Sequence, residues 1–429
     1  MKAKLRRSIA LLFVAIFCVL CVKAFSAKKH SPSSALLAEA LQKEDPAMIR
    51  AAVATGREAL GDKAGLPDVA DKYTPAPKDA RLFSREEAQR GFAPNFATLE
   101  KLCWWKVGLD PATVSAPLRG PASVISGSVA VVRAKLDGAE RSLAMAKDAA
   151  EFLMWAQQQA GAGVFPFPAA RGASDARAMQ VAAHFFEQAE KAGKLDSVVR
   201  NGWAFEDLGD GGLQFDNGEC GVAMFELHEV TKDARHLDSA RRAADWALSR
   251  PLCPNWNYNS FSVHLLAKAF AVTGEAKYLD TAVRKARLGV IPGQLTDGPR
   301  AGRWMDRHNA RPAYHYIMLR ALAQLVAVMP PSHADKPEIL RALALGLKAR
   351  NAEIVAQGVM NKDKAIETLL VVNQVFKDDA EFLRDTQSGE ALRTVALLVS
   401  AEAHRGKAPL SPGEWGNFLE HIANDSPRP

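Results

Sequence analysis

The sequence predicts an all-α protein whose helical hairpins close into a toroid, and three observations carry that expectation. Residues recur at a spacing of 42: Asp175, Asn217 and Asn259; Ala192, Ala234 and Ala276; Leu195, Leu237 and Leu279; Asp196, Asp238 and Asp280; Arg200, Arg242 and Arg284. No segment alternates apolar and polar residues as a half-buried strand does. Connections within a hairpin are tight (Lys232-Asp233, Gly274-Glu275), whereas those between hairpins are long and unequal (Asn201–Asp216, Pro251–Tyr258, Gly289–Ala310). A period near 40 without strands means stacked helical hairpins. Long loops on one rim and short turns on the other favour a closed double ring over an open solenoid, with a cleft at the looped end.

The chain begins with Lys2, Lys4, Arg6 and Arg7, followed by an apolar run from Ile9 to Val22 and the sequence Val22-Lys23-Ala24. A cationic start, a short apolar core and a small residue at the cut describe an export signal over residues 1–24. The run falls short of the roughly 20 residues of a spanning helix, so an uncleaved inner-membrane anchor is the alternative. Removing residues 1–24 takes away five basic residues and no acid, and the net charge falls from +7 to +2. That near balance excludes nucleic acid as the expected partner and fits a monomer, periplasmic or secreted. Cys103, Cys220 and Cys253 would survive cleavage, without metal-ligand spacing; a Cys220–Cys253 disulfide and buried free thiols both fit.

Residues 25–120 mix short helical patterns (Ala35–Gln42, Pro46–Leu60) with Pro-bearing stretches such as Tyr73-Thr74-Pro75-Ala76-Pro77, and read as a tether and irregular N-terminal cap. The toroid itself is expected over 121–429. Val124–Leu136 and Ala139–Gln159 form a first hairpin. Asp175, Asn217 and Asn259 stand where an N-cap accepts from first-turn amides. Together with Arg311 they mark four parallel inner-helix starts. In the second helix of the middle unit, Ala240, Ala243, Ala244, Ala247 and Leu248 make one buried stripe, which Leu279, Ala282, Val283 and Ala286 repeat. Pro251 and Pro292 end those helices. Further helices follow: one from Pro312, then Ile339–Ile354, Ala365–Phe376 and Glu390–His404.

Chemistry is expected on the looped rim. Asp210, Asp216 and Glu219 cluster around the helix start at Asn217, where carboxylates at a helix N-terminus bind cations, orient hydroxyls or move protons; Asp216 precedes the cap and faces the long loop. Arg303-Trp304-Met305-Asp306-Arg307-His308-Asn309-Ala310-Arg311 is the densest mixture of Arg, Asp, His and Trp in the chain, and it leads to Tyr314 and His315. Its arginines suit a carboxylate held bidentately. Trp203, Trp256, Asn257 and Tyr258 supply aromatic platforms and amides for sugar rings, with Arg303, Trp304, Tyr314 and Asn217 beside them. No metal-ligand cluster, phosphate loop, HExxH or Ser-His-Asp elbow is present.

Gln157–Gln159 with FPFPAARG at 165–172, and GGLQFDNGECGVAMFELHEVTKDARHLDSA at 211–240, resemble two stretches of family 10 pectate lyases, and the wider hairpin pattern resembles the six-hairpin toroids. The resemblance covers roughly residues 140–330. It implies an (α/α)6-type toroid and a carbohydrate-active enzyme, and its lyase residues carry over only to Phe165–Pro168, Asp216 and Asn217. Phe165 stands where the family has tryptophan, and Glu219-Cys220 replaces its alanine-threonine. The expectation is therefore a polysaccharide lyase that cleaves a uronic-acid chain by β-elimination. Asp216, Asp306, Arg307, His308 and Arg311 are the catalytic candidates, with Ca²⁺ as the cofactor a lyase would add. A glycoside hydrolase using Asp216 and Asp306, or a non-catalytic helical repeat protein binding an envelope glycan or protein, are the alternatives.

Overall fold

The structure, a computed structural model, describes residues 32–101, 117–168, 177–209, 211–406 and 410–425. The expected export signal, Cys103, Asp175 and Asp210 lie outside them. No described helix is long and apolar enough to cross a membrane.

Helices α1 (Pro32–Lys43) and α2 (Pro46–Leu60) make a first hairpin, followed by the short α3 (Arg85–Arg90) and α4 (Phe96–Lys101). Next come α5 (Arg119–Arg133) and α6 (Ala139–Ala160), then α7 (Arg177–Lys191) and the single-turn α8 (Leu195–Val198). Two regular hairpins follow, α9 (Gly212–Thr231) with α10 (Ala234–Ser249) and α11 (Trp256–Thr273) with α12 (Ala276–Gly289). The chain ends with α13 (Pro312–Val328), α14 (Lys336–Gln357), α15 (Lys362–Val375), α16 (Ala380–Asp385), α17 (Ser388–His404) and α18 (Pro412–Asp425). Strands β1 (Phe167–Pro168), β2 (Val199–Arg200) and β3 (Trp203–Ala204) form a small antiparallel sheet in the order β1-β3-β2.

Among the described residues six helices close an inner ring. α5 packs on α9, α9 on α11, α11 on α13, α13 on α15, α15 on α18, and α18 returns to α5. α6, α10, α12, α14 and α17 back the first five of these, and α3 lies against α18. The fold is an all-α toroid. Burial follows the layers. α11 is buried on nearly every face, whereas α12 buries one stripe of Tyr278, Leu279, Ala282, Val283 and Ala286, as an outer helix facing water must. Hairpin turns are set by Lys232 in the left-handed region (φ 58) with Asp233 capping α10, and by Gly274 (φ 72) closing α11. The ring closes through glycine: a Cβ on Gly127 of α5 would overlap the Pro412 carbonyl, and one on Gly416 of α18 would overlap the Gly127 carbonyl.

Two expectations are corrected. α7, which follows Asp175, is no inner helix; it packs on α8 and β1, and α5, α15 and α18 complete the ring instead. Asn217 and Asn259 are not caps. α9 begins at Gly212 behind Gly211 (φ 84), and α11 begins at Trp256 behind Asn255, so both asparagines lie inside their helices. Their recurrence has another cause. Asn217 accepts from Phe165 N (3.1 Å) and donates to Ala243 O (3.0 Å). Asn259 accepts from Cys253 N (3.0 Å) and donates to Gly289 O (2.7 Å). Each stitches its inner helix to the outer helix of its own hairpin and to a rim segment. His315 of α13 makes the outer-helix link alone, to Gly346 O of α14 (2.9 Å).

The α1–α2 hairpin is tied to the toroid by Arg284 with Glu44 and Arg57 with Asp297. From α2 the chain runs as a strap along the rim. Gly65 N donates to Met305 O and Asp68 N to Arg307 O, Thr74 bridges Val359, and Phe83 N reaches Ser400 Oγ. Met305 and Val359 precede the inner helices α13 and α15, so the strap crosses the rim of inner-helix N-termini.

Candidate active site

The strap decides what happens to the arginine-rich loop. Arg311, the N-cap residue of α13, grips Asp68 bidentately at 2.5 and 2.7 Å. Arg303 pairs with Glu353. Arg350, fully buried, contacts Asp71 at 3.1 Å, Glu353 at 2.8 Å and Ala310 O at 2.5 Å, and Tyr73 donates to Glu353 at 3.3 Å. Burial opposes the charge on Asp68, but the Arg311 guanidinium holds its carboxyl below the ordinary value. Arg307 is exposed.

Asp306 is half-buried and caps a local turn, accepting from Asn309 N (2.9 Å) and Asn309 Nδ2 (3.0 Å). Burial raises its pKa, against those hydrogen bonds. Asn309 passes the link to Asn257, whose N and Nδ2 donate to Asn309 Oδ1 at 3.2 and 2.7 Å. His308 stacks on Tyr314 (ring centroids 4.3 Å apart, planes 25°) with Nδ1 buried and unpartnered. Burial and then Arg311 depress its pKa to about 4, so it is neutral at pH 7. Trp203, Trp256 and Trp304 are sealed in the core; the Trp304 indole donates to Val290 O at 2.8 Å. None of the three offers a ring face to a sugar, and Asn257 and Tyr258 are buried with them.

A second charged cluster lies in the lumen, and all six inner helices contribute. Arg119 of α5 stands 3.8 Å from Asp216 of α9 and 4.4 Å above the Phe215 ring, which stacks on Phe261 of α11. Arg320 of α13 joins Glu219 of α9 (2.6 Å) to Glu367 of α15. Lys364 of α15 joins Glu367 to Glu414 of α18, at 2.9 Å each. His264 of α11 completes the set. Inner helices start at the looped rim and rise about 1.5 Å per residue, so Asp216, Lys364 and Glu414 sit in the first turn or two, with Glu219 and Arg320 deeper. Side-chain exposures of 25% for Arg119, 22% for Glu219 and 19% for Glu367 show that solvent reaches this cluster.

The carboxyls there are pulled in opposite directions. Burial raises Asp216, only partly offset by Arg119, and its Oδ1 has no hydrogen-bond partner. Burial raises Glu414 to about 7, with Glu367 and Asp363 adding to the shift and Lys364 opposing it. Desolvation raises the half-buried Glu219 as well, yet Arg320 and Lys364 hold it below its ordinary value. Burial, then Arg320, drives His264 well down. Buried carboxyls displaced to either side are the arrangement from which acid and base roles are made.

Of the sequence candidates, Asp216 alone belongs to the lumen, while Asp306, His308, Arg311, Arg303 and Tyr314 gather under the strap. Arg119, Arg320, Lys364, Glu367 and Glu414 were missed as a group, and Glu219 was seen only as part of the Asp216 cluster at the helix start. A signal existed: Arg320 is the one charge in the apolar helix PAYHYIMLRALAQLVAV, and a charge with no polar face to occupy must find partners inside.

The segments that suggested the family resemblance do meet. Gln157 Nε2 donates to Gly163 O (2.6 Å) and Ser239 O (3.0 Å), Ser239 Oγ returns a bond to Gln157 Oε1 (2.8 Å), and Asn217 holds Phe165. All these contacts are structural. Cys220 and Cys253 are buried thiols with no disulfide between them. Among the described residues no group of three or more His, Cys, Asp or Glu is placed to hold a metal ion.

No family model and no curated protein matches the chain, so the likeness to family 10 pectate lyases gains nothing there. Among solved structures the chain is similar to a polysaccharide lyase (12% identity, TM-score 0.49, covering 79% of this chain and 95% of that one). It is also similar to a glycosyl hydrolase family 88 protein from Bacteroides vulgatus (11% identity, TM-score 0.48, covering 80% and 98%). The toroid is established by the closed ring described above, not by these likenesses.

Proposed function

We propose that the chain is a carbohydrate-active enzyme that breaks glycosidic bonds in the mouth of its lumen. The carbohydrate class follows the resemblance of residues 140–330 to six-hairpin toroids. The chemistry follows one observation: the lumen holds carboxyls raised (Asp216, Glu414) and lowered (Glu219) within one solvent-reached cluster. Glycoside hydrolysis needs such a pair, a protonated acid for the leaving oxygen and an ionised partner for water or the sugar. Glu414 is the acid we assign. Glu367 shares Lys364 with it at 2.9 Å each, which holds the two carboxyl oxygens no more than about 6 Å apart, on the scale of the roughly 5–5.5 Å of the retaining geometry.

The lumen cations favour hydrolysis of a neutral glycan. Arg119, Arg320 and Lys364 each already face a carboxylate, and none is spare for the uronate that β-elimination must neutralise. Elimination from a uronic-acid chain, with Ca²⁺ if the substrate needs it, is the second reading. It rests on the neutral His308 stacked on Tyr314 beside Arg311. Export through the N-terminal signal belongs to both readings. A fusion of residues 1–40 to a reporter active only in the cytoplasm tests it, since full activity of that reporter would end it.

The function is tested on purified protein with neutral and acidic polysaccharides, following new reducing ends and the ultraviolet absorbance of unsaturated products. Reducing ends without absorbance, lost in Glu414→Gln, support the hydrolase. Absorbance lost in His308→Ala but kept in Glu414→Gln moves the site to the rim. Wild-type turnover in both variants removes both assignments.

A further inference from the structure

A groove of about 590 Å³ lies on the outer layer between α6 and α10, away from the lumen. Trp155 stands in it. The other described tryptophans, Trp203, Trp246, Trp256, Trp304 and Trp415, are all buried, and Trp155 alone reaches the surface. Its position is fixed from behind by Trp203, edge-on at 5.8 Å, and by Phe152 at 5.6 Å, so the exposed part of the indole is held rigid. Gln158, one turn further along α6, is exposed. Facing them on α10 are Asp238 and Arg242, both exposed and one turn apart. Among the described residues Arg242 hydrogen-bonds only the neutral Gln157 amide, at 3.0 Å, and Asp238 makes no ion pair. An amide, a carboxylate and a guanidinium around a fixed indole present donors and acceptors at the edge of an aromatic face. Carbohydrate rings need both: their C–H faces lie on the aromatic and their hydroxyls reach the polar rim. With one acid and one base left unpaired, the groove is close to neutral.

We propose that this groove is a second carbohydrate-binding site, one that holds a neutral, hydroxyl-rich polysaccharide on the outside of the toroid. Its Gly161–Gly163 edge is the end of α6 that leads to the looped rim, so a chain seated there is delivered toward the lumen mouth. The site stands on its own contacts and does not depend on how the lumen acts.

The test is affinity electrophoresis of the full chain through gels containing soluble neutral glucans, xylan or galactomannan, with pectate as the anionic control. Wild-type protein should be retarded by at least one neutral polymer, and addition of that polymer should change the tryptophan fluorescence. Trp155→Ala should abolish retardation, and Asp238→Ala and Gln158→Ala, which touch no core residue, should each weaken it several-fold with an unchanged melting temperature. Absence of retardation by every neutral polymer overturns the proposal. So does equal retardation of wild type, Asp238→Ala and Gln158→Ala, and retardation by pectate alone assigns the groove to anionic chains instead. Glu414→Gln, which leaves the groove intact, should bind as wild type does, so a lumen without activity and a groove without affinity are told apart.

Discussion

Two clusters of buried charge sit a few turns apart in this molecule, and they are put together in opposite ways. Under the strap, Arg311, Arg350 and Arg303 each meet a carboxylate at close range, and Asp68 is stabilised in its ionised form. In the lumen, burial outweighs pairing for Asp216 and Glu414, which hold their protons above the ordinary carboxylate range. Saturated ion pairs fix a segment in place and leave little free energy for anything else. Under-compensated carboxyls cost stability and are retained where proton transfer uses them. Ionisable residues crowd both places, and Asp306 is raised by burial at the rim as well, but Glu414 of the lumen is the carboxyl raised to about 7.

The largest expected effect is on turnover. Glu414→Gln should lower kcat by about two to four orders of magnitude, the ordinary cost of a lost acid or base, with helical circular dichroism unchanged. A variant that keeps full activity would erase the distinction between lumen and rim. Next is Arg350→Met, which leaves Asp71 and Glu353 facing each other without their buried cation and should cost about 3–5 kcal/mol of stability. Chemical denaturation reads it; a loss below about 1 kcal/mol, the scale of an exposed ion pair, would demote the strap from latch to ornament.

The pH dependence of activity should inflect near 7, the value to which Glu414 is raised, and Glu367→Gln should move the inflection down, because Glu367 contributes to the rise. An unmoved inflection would separate the two glutamates. The smallest effects are on stability against pH, and they have opposite signs in the two clusters. Asp68 has a folded pKa below its unfolded one, so its contribution is present above the unfolded value of about 4 and disappears as pH falls through the folded value. Glu414 has a folded pKa above its unfolded one, so its contribution is complete below about 4.5 and is lost as pH rises to about 7. Melting temperature should therefore fall across that upper interval in wild type and flatten in Glu414→Gln. A parallel fall in the variant would assign the loss to another group.

The hairpins were legible in the sequence because outer helices must carry one apolar stripe, and Ala240 to Leu248 and Leu279 to Ala286 print it plainly. Asn217 and Asn259 were legible as a repeat but not as a role: a cap and an interior stitch call for the same amide, and Gly211, which starts α9, offers no side chain to mark the true start. The ring partners α5, α15 and α18 fall outside the 42-residue spacing and show themselves only through packing. Asp216 could be singled out because it adjoins the repeat. Glu367, Lys364 and Glu414 could not, since nothing along the chain tells a charge pointing into a lumen from one pointing into water. The strap is the clearest gap. Asp68 and Asp71 look like ordinary loop acids until segments 243 and 279 residues away bring them their arginines.

The glycine contact between α5 and α18 joins the first inner helix to the last. Gly127 meets Pro412 and Gly416 across nearly 300 residues of chain, and contacts of such separation form late because the intervening loop must lose its freedom first. On the ribosome the ring stays an open arc until α18 emerges, with the α5 and α15 edges bare and Glu414 not yet beside Lys364. The lumen cluster is thus complete only once α18 has been made, and a chain cut short before Pro412 is an unclosed, apolar-edged arc that lacks Glu414.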